Sequence, residues 1–207
     1  MDKREILQKY FGYDSFRPGQ QALIDGILSN RDVFGIMPTG GGKSICYQLP
    51  ALLLPGITLV VSPLISLMQD QVQALLGAGI PAAYINSSLS ASQMQAVYRN
   101  LLAGKYKLVY IAPERLDYSG FLGVASRLQI SLLAVDEAHC ISQWGQDFRP
   151  SYLRILHFIQ ALPVRPVVGA FTATATAKVR EDVERILMLQ DPVRMITGFD
   201  RLISPLK

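Results

Sequence analysis

The chain alternates short, largely apolar runs with longer stretches in which apolar residues recur at helical spacing. Six runs stand out, at 33–37, 57–61, 81–85, 107–111, 130–135 and 166–171. Several are continuously apolar, which over so few residues predicts strands buried on both faces, as in a parallel sheet. Between them, Leu64, Leu67, Met68, Val72, Leu75 and Leu76 share one helical face, with Pro63 at the first helical position. Ser90 and Gln93 have capping-box spacing ahead of Met94, Val97, Tyr98, Leu101 and Leu102. Val179, Val183, Ile186 and Leu187 mark a last helix, starting at about Ala177. Strands alternating with helices predict an α/β fold: a doubly wound, mainly parallel sheet with helices on both faces. Ligands of such sheets collect outside the carboxyl ends of the strands.

Composition narrows the class. Half of the 207 residues are apolar and 17% are charged, which suits one folded domain and argues against a disordered chain. No apolar stretch reaches the ~18 residues of a membrane-spanning helix, and no signal-peptide core follows Met1–Glu5, so no membrane association is expected. Cys46 and Cys140 form no C-x-x-C pair. With His139 and His157 they make no metal-ligand cluster, and a reducing cytosol is the expected setting. A net charge of +4 permits a nucleic-acid partner without requiring one.

The chemistry gathers at two strand ends. Met37-Pro38-Thr39-Gly40-Gly41-Gly42-Lys43-Ser44 follows the first apolar run and leads into Ile45–Leu49, which can start a helix. A strand, a glycine loop and a helix N-terminus form a phosphate cradle: backbone N–H groups converge on the oxygens and the helix dipole favours their charge. Lys43 is placed to reach the β- and γ-phosphates, and the Ser44 hydroxyl to hold Mg²⁺. The strict pattern has glycine where Met37 stands, so a glycine turn followed by a surface lysine is the competing reading. The run Leu132–Val135 delivers Asp136-Glu137-Ala138-His139, where Asp136 suits the Mg²⁺ shell and Glu137 the attacking water. Either segment alone has a bland explanation. Together they predict binding of a nucleoside triphosphate with Mg²⁺, a feature that a small-molecule kinase would share.

Further segments narrow the class. Phe16-Arg17-Pro18-Gly19-Gln20, the 37–44 loop, Val61-Ser62-Pro63-Leu64-Ile65-Ser66-Leu67-Met68, Tyr110–Leu116, Asp136–His139 and Thr172-Ala173-Thr174 occur in an order that resembles the RecQ family of superfamily 2 DNA helicases. The most specific stretch is Cys140-Ile141-Ser142-Gln143-Trp144-Gly145-Gln146-Asp147-Phe148-Arg149-Pro150, similar to that family's aromatic-rich loop. The resemblance runs from about Tyr10 to Arg201, and Met37 is usual in it.

That resemblance implies a RecA-like P-loop lobe that uses ATP and Mg²⁺. Tyr13, Arg17 and Gln20 would line the adenine, while Thr39, Gly40, Gly41, Gly42, Lys43 and Ser44 would hold the phosphates. Lys43, Asp136, Glu137, His139 and Gln143 would form the catalytic set, with Ser44 and Asp136 on the metal. Ser62, Pro63, Ser66, Arg115, Trp144, Phe148 and Arg149 would meet DNA, single-stranded or at a single/double-strand junction. Thr172 and Thr174 would link hydrolysis to unwinding. Simpler roles compete: Tyr13 or Trp144 as core residues, Gln20 as a helix-surface residue, and the two threonines as caps of the helix from Ala177.

Gly198–Arg201 resembles the exit from the first motor lobe, giving a domain over 1–201 and a short tail over 202–207. The family continues into a second RecA-like lobe that supplies an arginine finger. The expectation is an ATP-binding first lobe that contributes to 3'-5' DNA unwinding in repair and recombination, in the bacterial cytosol or nucleoid, with little or no turnover alone. A non-catalytic nucleotide- or DNA-binding module is the competing function.

Overall fold

The computed structural model describes residues 2–197. Seven strands form one parallel sheet: β1 (Val33–Ile36), β2 (Ile57–Val61), β3 (Ala82–Ile85), β4 (Leu108–Ile111), β5 (Ile130–Val135), β6 (Val167–Thr172) and β7 (Val193–Ile196), in the spatial order β3-β4-β2-β5-β6-β1-β7. Eight α-helices lie among the described residues: α1 (Lys3–Phe11), α2 (Gln20–Leu28), α3 (Ile45–Leu53), α4 (Ile65–Gly77), α5 (Ala91–Leu102), α6 (Ser119–Ala125), α7 (Arg154–Ala161) and α8 (Ala177–Ile186).

Strand side chains alternate between two cores. Val33, Val60, Leu108, Leu132 and Phe171 pack with Leu23, Ile27, Tyr47, Met68 and Val72 from α2, α3 and α4. Phe34, Leu59, Val109, Leu133 and Val168 pack with Leu101, Phe121, Phe158, Val179 and Val183 from α5 to α8. Helices therefore cover both faces, as the continuous apolar runs predict. Among the described residues, no helix is long and apolar enough to cross a membrane.

All six predicted strands are present, with ends within one residue. The capping box at Ser90 and Gln93 is formed in both directions. Three expectations need correction. The helix after β2 begins at Ile65, with Leu64 as its N-cap, so Pro63 lies ahead of it rather than in its first turn; Leu64 and Leu76 are exposed and the buried stripe is Met68, Val72 and Leu75. The cap of α8 is Thr176, whose side chain accepts from Val179 N, and not Thr172 or Thr174. A seventh strand, β7, was not expected; its burial alternates, since Arg194 and Ile196 lie on the open side of an edge strand. The expected domain limit at 201 and the 202–207 tail lie outside the described residues.

At the end of the sheet far from the glycine loop, Asp32 is buried and fully engaged. Its carboxylate accepts from the Arg165 guanidinium at 2.6 and 3.1 Å, from Val168 N at 2.8 Å and from Gln190 N at 2.7 Å. Its carbonyl accepts from Val193 N at 2.8 Å. One side chain thus ties the starts of β1 and β6 to the turn that enters β7. Asp32→Ala should lower the unfolding free energy by about 3 kcal/mol, because it removes the acceptor of a partly buried guanidinium and of the buried Val168 N–H. Urea denaturation measures this, and a loss under about 1 kcal/mol would show that water replaces the carboxylate.

Candidate active site

Because the sheet is parallel, every strand ends at one edge, and the residue after β1, β2, β4 and β5 keeps one ladder bond. Met37 N donates to Thr172 O at 3.0 Å, Asp136 N to Val61 O at 2.9 Å, Ser62 N to Ile111 O at 3.2 Å and Ala112 N to Ile85 O at 3.0 Å. The glycine loop, the acids, Ser62 and Thr172 are thereby fixed along one rim.

The loop turns through Gly40 and Gly42, both at positive φ (76° and 79°), which side-chain-bearing residues rarely adopt. Gly41 N donates to Pro38 O at 2.8 Å. Ser44 caps α3 through its backbone and makes no side-chain capping bond. Lys43 Nζ donates to Met37 O at 3.2 Å, across the mouth of the loop. Arg17 donates to the Gly40 carbonyl. Gln20, 3% exposed, accepts from Arg17 N at 2.8 Å and donates to Gly42 O at 3.0 Å. It is not a helix-surface residue: its amide props the glycine loop, and any Cβ at Gly42 would strike it. Tyr13 is exposed, with the Arg17 guanidinium 5.8 Å from its ring centroid, so it is no core residue. Thr39 is exposed on the same loop.

The acids follow β5. Asp136 is buried; its Oδ1 accepts from Glu137 N at 2.9 Å, and its carbonyl accepts from the buried Tyr152 hydroxyl at 2.9 Å. Burial, with the Glu137 charge second, pushes its carboxyl up to about 6. Glu137 sits at φ 48°, ψ 45°, a left-handed conformation that turns the strand sharply into the 3₁₀ turn at 138–141. His139 Nδ1 lies 2.9 Å from Thr172 Oγ1 and 3.3 Å from Glu137 Oε2. The Cys140 sulfur at 3.8 Å and the Glu137 carboxylate hold the imidazole protonated above its usual range, and its hydrogen bond keeps Glu137 below the usual carboxylate value. An ionised Glu137, aimed by a cationic His139, is suited to accept a proton from water or orient it.

Hard oxygen donors, the Ser44 hydroxyl and the Asp136 carboxylate, suit Mg²⁺. No group of three His, Cys, Asp or Glu among the described residues could hold a metal by itself. A Mg²⁺ ion here would complete its shell with water and phosphate oxygens, as this ion usually does. A buried carboxylate with its affinity for a proton raised is also one that a cation would relieve.

The aromatic stretch is a surface loop. Trp144 is 68% exposed, which removes the core reading; Phe148 is half-buried, and Gln143 is exposed with no hydrogen bond to the phosphate loop. Two anchors flank the tryptophan. On one side, Ser142 N donates to His139 O at 3.2 Å and Gly145 N to Ser142 O at 3.0 Å. A Cβ at Gly145 would collide with the His139 carbonyl. On the other, Arg149 pairs with Asp147 at 2.8 Å and donates to Pro63 O at 3.3 Å. Ser66 is exposed nearby on α4, and Arg115 lies 5.5 Å from the ring of the exposed Tyr118 beyond β4. Ser62 departs from expectation. It is 1% exposed and its hydroxyl is sealed from solvent without a partner, so that side chain is not offered to a DNA backbone.

Two contacts escaped sequence reasoning: the Tyr152 hydroxyl beneath Asp136, and Ser142 Oγ donating to Asp182 Oδ2 at 2.7 Å. The second had a signal. Asp182 is the polar member of the apolar stripe Val179–Val183 on α8, where a buried acid calls for a partner.

Along one rim, a glycine loop on β1, acids on β5 and a threonine on β6 make the arrangement of a P-loop lobe with a RecA-like fold. Residues 17–183 match the DEAD/DEAH box helicase model, and the chain belongs to that family. It is 50% identical over 199 residues to the ATP-dependent DNA helicase RecQ of Bacillus subtilis (strain 168), covering 96% of this chain and 34% of that protein. It is 48% identical over 198 residues to the ATP-dependent DNA helicase Q5 of Rattus norvegicus, covering 92% and 20%. The RecQ resemblance is thus borne out over nearly all of this chain, which spans about a third or less of those relatives' length. The solved DUF1998 helicase MrfA bound to DNA and AMPPNP has the same fold (TM-score 0.75, 18% identity, 96% of this chain and 29% of that one). So does the Hef helicase domain of Pyrococcus furiosus (TM-score 0.69, 17% identity, 96% and 40%).

The buried acid sets a pH dependence. The unfolded Asp136 side chain titrates near 3.8 and the folded one near 6. Above pH 6 the folded protein bears the full cost of the buried charge; from 6 down to 4 it binds a proton that the unfolded chain does not, and the cost fades. Asp136→Asn should therefore stabilise the metal-free protein at pH 7.5 by up to ~3 kcal/mol, with the gain mostly lost by pH 4. Urea unfolding in EDTA at both pH values tests this; an equal gain at both would remove burial of the charge as the cause.

Proposed function

We propose that this domain binds Mg²⁺-ATP and couples its hydrolysis to single-stranded DNA, as the first motor lobe of a RecQ-type helicase. In that reading it contributes to 3'-5' unwinding at single/double-strand junctions during repair and recombination, within a reducing cytosol or nucleoid. The observation that carries it is the placement of Trp144. An exposed aromatic residue, able to stack on any base, is anchored through Ser142 and Gly145 to the carbonyl of His139, which itself touches Glu137. A base that shifts Trp144 pulls on the turn that orients the hydrolytic acid. The family match and the DNA-helicase relatives support the same reading.

Tyr13 and Arg17 offer a ring and a guanidinium plane for adenine, and Gln20 an amide that can read its N6 and N7 edge. Nucleotide entry exchanges the Gln20, Arg17 and Lys43 bonds to loop carbonyls for bonds to base and phosphate. When bound, Mg²⁺ would neutralise phosphate charge beside Ser44 and Asp136. Lys43 would hold the terminal phosphates, and Glu137 would position the attacking water. Ser66, Pro63, Arg115, Phe148 and Arg149 would position the strand through its backbone, without reading sequence. A second RecA-like lobe would supply the arginine that completes catalysis, so turnover by this lobe alone should be slow.

The deciding experiment is ATP hydrolysis with and without single-stranded DNA. A slow rate that DNA stimulates is expected, falling at least ~100-fold in Lys43→Ala and Glu137→Gln. Trp144→Ala should abolish the stimulation while leaving nucleotide affinity intact. If the Lys43 and Glu137 variants match the parent, the domain is a non-catalytic binding module. Competition binding supplies a separate check: Gln20→Ala should bring GTP affinity close to that for ATP, and an unchanged preference would remove Gln20 from base recognition.

A further inference from the structure

Beneath the aromatic loop lies a hydrogen-bond chain that the catalytic reading does not use. Ser142 is fully buried, and its hydroxyl bonds in both directions: it accepts from Trp144 N at 3.1 Å and donates to Asp182 Oδ2 at 2.7 Å. Asp182 is itself buried, and its other oxygen accepts from Arg185 at 2.8 Å, a guanidinium that is largely in solvent. Asp182 belongs to α8, whose Val179 and Val183 pack in one core with Ala138, Cys140 and Ile141 of the acid-bearing turn. The same helix is entered from β6 through Thr172, the partner of His139, and Thr174, whose carbonyl accepts from the Thr172 hydroxyl at 3.1 Å. Between loop and helix lies a cavity of about 270 Å³, lined by His139, Trp144, Gly145, Thr174, Thr176 and Val179. The tryptophan backbone is therefore latched to α8 on one side of the cavity, while its side chain stands free.

We propose that Asp182 is a positioning residue. By holding the Ser142 hydroxyl it sets the backbone of Trp144, and a strand bound by the loop is felt at α8 and Thr172 as well as at Glu137. This rests on the reading of the loop as the DNA contact, but the latch can be tested without DNA. A buried acceptor is needed at position 182, not a charge: an asparagine oxygen can take the Ser142 bond, and Arg185 can swing into solvent.

Trp144 is the only tryptophan in the chain, so its fluorescence reports on the loop alone. Without DNA, Asp182→Ala and Ser142→Ala should each shift the Trp144 emission and lower its fluorescence anisotropy, as a loosened backbone lets the ring tumble faster, and the double variant should add little to either. Asp182→Asn and Arg185→Ala should stay close to the parent. With oligo(dT), Asp182→Ala should reduce DNA stimulation of ATP hydrolysis at least about fivefold, with Mg²⁺-ATP affinity unchanged and Asp182→Asn restoring the stimulation. Should Asp182→Ala fail to fold, Ser142→Ala and Asp182→Asn answer the same question. Unchanged anisotropy in Ser142→Ala and Asp182→Ala overturns the latch whatever DNA does. Lowered anisotropy in a protein whose parent ignores oligo(dT) upholds the latch and overturns the DNA reading instead.

Discussion

Parallel pairing is the constraint from which the site follows. A strand hydrogen-bonded on both sides in parallel register must end where its neighbours end, and here β6 separates β1 from β5. Two interstrand spacings, roughly 10 Å in all, lie between the glycine loop and the acids. The middle of that gap is closed by Thr172, fully buried and bonded to His139. The register makes the arrangement specific: Ile36 pairs with Thr172, and Val135 with Ala170. A slip of one residue would turn every core side chain to the wrong helical layer.

Within that frame the site is held by groups that satisfy one another before any ligand arrives. Gln20, Arg17 and Lys43 each bond a carbonyl of the glycine loop. Tyr152 holds the backbone of Asp136 from below, and His139 divides one N–H between Thr172 and Glu137. What stays costly is burial: Asp136 is buried next to Glu137, with Lys43 and the cationic His139 as the nearby positive charges. The surface follows another logic. Trp144 is exposed because the backbone on either side of it is tied down, by Ser142 and Gly145 to the turn and by Arg149 to Pro63.

How much was legible depended on whether a signal was local. Apolar runs of five or six residues have few explanations other than buried strands, so six strands were readable to within a residue. The glycine loop and the acid pair were readable as neighbours on one rim because each follows directly on an apolar strand in the sequence. β7 was missed because an edge strand has one open face, and Val-Arg-Met-Ile then carries no continuous apolar signal. Pro63 and Leu64 misled because propensity places a helix start only to within a turn. Ser62 misled differently: next to a strand end, one ladder bond decides whether a side chain faces solvent or core.

By itself, the sequence determined the fold class, the strand positions and the residue types that phosphate, metal and water require, since each rests on contacts between near neighbours in the chain. Only the tertiary structure decided which of them meet. Strand order brought Thr172 to His139 across thirty-three positions and Asp182 to Ser142 across forty, and carried Gln20 beneath Gly42. It also decided that Trp144 is free and Ser62 is not. Such pairings depend on which strands become neighbours in the sheet, and that is set by how two helical layers share one buried core, not by any local pattern.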